Sequence, residues 1–182
     1  MKFRIKIFLC PLLIICLAFS CHAENQVIHL NITQDTDTIS VSPRIDFSTS
    51  QEIKEAIDNG IRVQLIVKAE LYQPVPWWFD TTIDKNLIRL EISYYILGKY
   101  YVIKNKETNQ RIGNVDYNKL WNSLEKIIVM DFPIPDNDDL WVKLRIMLDK
   151  GSLPTAMQLP VLFNEYWDIN TEWFSQQVNL SE

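Results

Sequence analysis

From Ile61 to Leu71 every second position is apolar. Ile61, Val63, Leu65, Val67, Ala69 and Leu71 lie on one side, and Arg62, Gln64, Lys68 and Glu70 on the other. A period of two predicts a strand with one buried and one wet face. Leu87 to Ile96 repeats it, with Ile88, Leu90, Ile92, Tyr94 and Ile96 set against Arg89, Glu91, Ser93 and Tyr95. Leu140 to Leu148 repeats it again, with Leu140, Val142, Leu144, Ile146 and Leu148 on the apolar side. Near the N-terminus Ile28, Leu30 and Ile32 alternate with Val27, His29 and Asn31, and Asp35-Thr36-Asp37 turns the chain into a second extended stretch, Thr38 to Phe47. Gly98-Lys99 predicts a turn or bulge before Tyr100 to Lys104, and the polar tip 105–110 predicts a hairpin returning through Arg111 and Ile112.

Two segments change to helical spacing. Thr49 with Glu52 offers a capping box for Ile53, Ala56 and Ile57, and Gly60 ends that helix. Asp116 is placed to cap a longer one, in which Tyr117, Leu120, Trp121, Leu124, Ile127 and Ile128 form a single stripe. Pro133 and Pro135 end anything helical beyond it, and the tail from Leu153 to Phe174 is mixed, aromatic and interrupted by Pro154 and Pro160. Strictly alternating strands belong to antiparallel sheets with one solvated face, because parallel strands are buried on both sides. The expected fold is α+β: a mainly antiparallel, sandwich-like β-structure with two or three short helices packed on it.

The first 23 residues have a different character. Lys2, Arg4 and Lys6 precede an apolar run from Ile7 to Phe19, and Ser20-Cys21-His22-Ala23 supplies small residues for cleavage before Glu24. This is the pattern of a secretory signal, and the run is shorter than the roughly 20 residues a spanning helix needs. Residues 1–23 are therefore expected to be a signal peptide and 24–182 a single globular periplasmic domain, soluble and without a transmembrane helix. The alternative is a lipoprotein anchored through Cys21, although Ala18 and Phe19 suit lipidation poorly. Cleavage removes three cations and no acid, so the chain's 18 Lys+Arg become 15 against 23 Asp+Glu, and the formal charge of -5 becomes -8. An acidic balance without a polybasic run argues against nucleic acid and against anionic lipid heads. Cys10, Cys16 and Cys21 all leave with the signal, which excludes disulfides, thiolate metal sites and a cysteine nucleophile.

Candidate chemistry is sparse. In Gln73-Pro74-Val75-Pro76-Trp77-Trp78-Phe79-Asp80 two prolines stiffen a loop that presents three successive aromatics, suited to a sugar ring, a peptide or a protein face. The competing reading is that Trp77, Trp78 and Phe79 cap the core, as large aromatics usually do, with at least one left accessible. Asp136, Asn137, Asp138 and Asp139 are acidic enough for calcium, but a hand-type loop counted from Asp136 would need glycine at Trp141 and glutamate at Met147, so a solvated turn is expected and no metal. His29 becomes the only histidine and falls on a polar face; it has neither the partners of a zinc site nor a serine elbow to serve. Asp80, Asp84, Glu91 and Asp149 leave paired-carboxylate glycan hydrolysis open, but linear spacing brings no two of them together. With four glycines in the chain there is no phosphate-cradling loop. No catalytic residue and no cofactor is expected.

Leu148-Asp149-Lys150-Gly151-Ser152-Leu153-Pro154, then Gln158-Leu159, then Trp167-Asp168-Ile169-Asn170-Thr171-Glu172-Trp173 resemble the closing pattern of the bacterial domain-of-unknown-function 4390 family. Ile45-Asp46-Phe47, Glu55 to Ile61, Trp77 to Asp80 and Leu90 to Tyr101 follow the same family order, so the likeness runs from Pro43 to Phe174. The basic residues of the stretch before the paired tryptophans are missing between Tyr72 and Pro76. The resemblance implies an exported envelope protein without an established reaction, a role accessory to envelope sensing, and no catalytic residues to carry over. The expectation is a non-enzymatic binding module with an envelope protein partner, its small-molecule or glycan ligand unknown. The competing classes are a carboxylate-based glycan hydrolase and a purely structural envelope protein.

Overall fold

The computed structural model describes residues 26–135 and 139–179; the segment read as an export signal and the acids Asp136 and Asp138 lie outside the described residues. In chain order the elements are β1 (Gln26–Gln34), β2 (Thr38–Asp46), α1 (Gln51–Asp58), β3 (Val63–Gln73), β4 (Thr81–Tyr95), β5 (Tyr100–Asn105) and β6 (Arg111–Asn114). There follow α2 (Tyr117–Trp121), α3 (Leu124–Ile127), β7 (Met130–Pro133), β8 (Trp141–Leu148), α4 (Thr155–Leu162) and β9 (Phe174–Gln177). One sheet has the order β6-β5-β4-β3-β8-β9 and the other β1-β2-β7, and every pairing is antiparallel. The expected α+β, mainly antiparallel fold is therefore present.

Alternation decides which face is buried. Val63, Leu65, Val67, Ala69 and Leu71 of β3, Ile88, Leu90 and Ile92 of β4, and Val142, Leu144, Ile146 and Leu148 of β8 line the inner face. They join Leu30, Ile39 and Val41 of the smaller sheet in one core. α1 packs on β4, and α2 on β5 and β6. The sheets meet at their edges through a side chain: Gln176 of β9 accepts from Leu30 N (2.9 Å) and donates to Leu30 O (2.8 Å).

Several sequence expectations shift by a residue for identifiable reasons. In β1 a register irregularity between Val27 and His29 turns Val27 and Leu30 inward, and leaves Ile28 half exposed instead of on the apolar face. The cap of α1 is Ser50, which accepts from Ile53 N at 3.2 Å; Thr49 instead hydrogen-bonds the Tyr117 hydroxyl at 2.7 Å. The helix expected over 117–128 has its Asp116 cap and its buried stripe, but it breaks into α2 and α3 where the Ser123 hydroxyl donates back to Leu120 O. β7 is a strand where the prolines obscured one, with Met130 and Phe132 buried and Pro133 on an edge strand. In the tail α4 holds Pro160 inside it, and its last bonds run to the third residue back, Phe163 N to Pro160 O and Asn164 N to Val161 O.

Candidate functional site

The aromatic segment is the tip of the longest hairpin. β3 and β4 pair from Val63↔Ile92 to Gln73↔Thr81, and residues 74–80 close the loop. Trp78 N donates to Val75 O at 3.2 Å, making a four-residue turn with Pro76 second and Trp77 third. Trp77 has φ +65, so the turn follows the type II pattern: proline fixes the second position, and the third must be left-handed, a slot that favours glycine. A tryptophan there bears a steric cost of about 1–2 kcal/mol. In exchange the three rings stand clear of the protein. Trp77 is 103%, Trp78 77% and Phe79 84% exposed, which overturns the expectation that they cap the core. Trp78 and Phe79 meet edge to face at 6.0 Å, a contact that holds them as one apolar knob.

Charge at this end of the sheet is negative. Asp80 follows the aromatics, Asp84 pairs with Leu71 near the ends of the strands, and Asp139 precedes β8. Asp139 accepts from Trp141 Nε1 (3.1 Å) and Gln177 Nε2 (3.0 Å), so it is tied into the strand ends. Among the described residues no group of three or more His, Cys, Asp or Glu side chains could hold a metal ion. His29 is exposed on β1.

Two pairings of the carboxylates considered for hydrolysis are decided by the strands. Asp84 and Glu91 are seven residues apart on β4, hence on opposite faces and about 23 Å apart. Glu91 on β4 and Asp149, just past the end of β8, flank Gln64, but Glu91 is engaged by Arg62 (3.9 Å) and Lys106 (3.4 Å). Glu70 is likewise held, by Lys143 at 3.0 Å and Lys85 at 3.2 Å; burial works to raise it, but these hydrogen bonds outweigh burial and its carboxyl titrates below the ordinary value.

One polar cluster had no sequence signal. Asp58 at the end of α1 accepts from the Tyr101 hydroxyl (2.5 Å) and pairs with Lys54 (2.6 Å), whose ammonium lies over the rings of Tyr101 and Tyr117. Burial, then the hydrogen bond to Asp58, raises the Tyr101 hydroxyl; burial also raises Tyr117. Phenols held protonated beside an engaged carboxylate secure α1 to β5 and α2, and present no activated nucleophile. A second exposed apolar group, Leu159, Leu162, Phe163 and Tyr166, surrounds the end of α4, a helix that the prolines concealed.

A family model described as a domain of unknown function, DUF4390, matches residues 22–177. The chain belongs to the DUF4390 family. Curated proteins and solved structures yield no match. The match runs from before β1 to the last residue of β9, so in this DUF4390 chain both sheets and the aromatic tip fall inside the family's region. No described helix is long and apolar enough to cross a membrane.

Proposed function

We propose that this DUF4390 chain is an exported, non-enzymatic binding module that docks a protein partner in the cell envelope through Trp77, Trp78 and Phe79. The observation that carries the reading is Trp77 at φ +65, wholly exposed, in a turn that glycine would close with less strain. Strain at an exposed aromatic is retained when the ring does something outside the fold. Rigid aromatics on a short loop lose little entropy on binding and dominate interface energies. Asp80, Asp84 and Asp139 beside them favour an apolar pocket rimmed by cations over an anionic bilayer, which would repel this end. The basic N-terminal head and the apolar run after it support export to the periplasm.

The test is in-cell cross-linking of a C-terminally tagged chain, with mass spectrometry of what is captured and of the tagged chain's own N-terminus. The expected result is one dominant envelope partner that disappears in Trp77→Ala/Trp78→Ala, and a chain beginning at Glu24. Capture of that partner by the double variant would refute the docking role, and a lipid-modified Cys21 would replace the soluble form with an anchored one.

A further inference from the structure

The outer face of the six-stranded sheet carries cations that the acidic total conceals. Lys104 and Arg111 are directly paired across β5 and β6, and Lys68 and Arg145 are directly paired across β3 and β8. Like charges set opposite one another destabilise a sheet. None of these four makes an ion pair with any described residue, whereas Arg62, Lys85, Arg89, Lys106 and Lys143 on or beside this face each have a carboxylate. Arg145 lies over the Trp173 ring at 5.0 Å, and its Nε has no hydrogen-bond partner among the described residues. Cations on an edge strand guard against aggregation, which accounts for Arg111 on β6. That explanation does not reach Lys68 and Arg145, which sit on interior strands. A groove of 620 Å³ opens over the first pair, walled by Arg62, Glu91, Ser93, Tyr95 and Tyr100, and its volume is that of a small-ligand site.

We infer that this face binds a linear acidic polysaccharide bearing carboxylates, one uronate-type unit in the groove at Lys104 and Arg111 and another at Lys68 and Arg145. Strand spacing puts Lys104 and Lys68, the nearest members of the two pairs, about 16 Å apart, too far for one small anion and suited to a chain. Glu91 and Glu70 stand among the cations and would repel closely spaced phosphates, but they accept hydrogen bonds from sugar hydroxyls. A nucleic acid strand carries a charge every ~3.4 Å and asks for stacking surfaces. Here Tyr100 is closed in by Tyr95, stacked at 5.4 Å, and by Gly98 and Gly113, where an added Cβ would lie 2.3 Å and 3.4 Å from its ring. A planar bilayer is a poor match because the six strands twist progressively across the sheet. This inference is independent of the docking role of the hairpin tip.

The experiment is a fluorescence-anisotropy titration of the full chain with labelled oligogalacturonate, a neutral glucan oligomer and a single-stranded oligonucleotide, at low and at physiological salt. The expected result is salt-sensitive binding of oligogalacturonate alone, weakened about tenfold by Lys104→Gln/Arg111→Gln and by Lys68→Gln/Arg145→Gln. Trp77→Ala/Trp78→Ala should leave it unchanged, which separates this face from the hairpin tip. Neutralisation removes like-charge repulsion but also the contact of Arg145 with Trp173 and the place of Lys104 opposite Glu91, so urea midpoints are measured on both variants and binding is compared under conditions where each is fully folded, which makes lost binding report the site rather than unfolding. Equal binding of the neutral glucan, tighter binding of the oligonucleotide, no binding of oligogalacturonate, or full affinity in either double variant overturns the inference.

Discussion

Gln176→Met tests how the two sheets are held together. β1 is an edge strand of its sheet and β9 an edge strand of the other. Leu30 sends both its N–H and its carbonyl to the Gln176 amide, so both groups point away from β2, toward β9. Leu30 is fully buried, and methionine nearly matches the length of glutamine while offering no donor and only a weak thioether acceptor. Two hydrogen bonds contribute about 0.5–1.5 kcal/mol each, and a buried backbone group left without a partner costs about 1–3 kcal/mol. The expected loss is about 2 kcal/mol, or ~4–8 °C in Tm for a chain of this size. Urea unfolding measures it, with an unchanged m-value showing that the denatured state is not altered. Hydrogen exchange at the Leu30 amide should accelerate more than exchange in β3. The control is Gln177→Met, whose amide bonds only exposed Asp139 and which should cost less than about 0.5 kcal/mol. A Gln176→Met loss no larger than the control, with Leu30 exchange unchanged, would refute the bridge.

Thr171→Val keeps shape but removes the hydroxyl that accepts from Ile146 N at 2.9 Å inside the core; about 1–3 kcal/mol should be lost in urea, with faster exchange at Ile146. Gly60 has φ +87 and an added Cβ would meet nothing within 4 Å, so Gly60→Ala isolates the cost of left-handed backbone, about 1 kcal/mol, and an unchanged urea midpoint would contradict it. Trp77→Gly relieves the same kind of strain at the hairpin tip, partly offset by a freer unfolded chain, and should leave Tm unchanged or raised; a clear fall would show that the ring packs on the fold. The ion pairs of Glu70 hold its carboxyl below the ordinary carboxylate value in the folded state, so they stabilise fully above that ordinary value and are lost as pH falls through the lower folded one; Glu70→Gln should flatten the fall in stability on the acid side of the ordinary carboxylate range.

The elements that could be read from sequence are those whose pattern is long. β3 runs for eleven residues and β8 for eight, so their period of two is unmistakable, and the Asp116 cap sits before a stripe of six apolar residues. β7 and β9 have four residues each, too few for a period to show, and prolines flank or enter β7 and α4. Their structure comes from partners that lie far away in sequence: β7 exists because Thr38 to Val41 offers it a ladder. Ile28 misled for the same reason, since a bulge is decided by the register with β2 and not by the composition of β1.

The candidate sites divide along the same line. The aromatic hairpin tip was legible as a segment, because Pro-Val-Pro-Trp-Trp-Phe is contiguous, but burial statistics for tryptophan pointed the wrong way: they describe residues inside a fold, and a turn with a left-handed third position pushes its rings out. The cation pairs were less legible: the hairpin predicted at 105–110 already brings Lys104 near Arg111, but nothing in the sequence sets Lys68 beside Arg145. Lys68 and Arg145 come from strands far apart in the chain, Lys104 and Arg111 from the two sides of one hairpin, and a net charge of -5 averages all four away. Alternation itself sends every second residue of a strand to the outer face, so a sheet can collect a field of one sign from a chain whose sum has the other. Net charge therefore bounds solubility and long-range steering of this protein, while the affinity of the outer face follows from register.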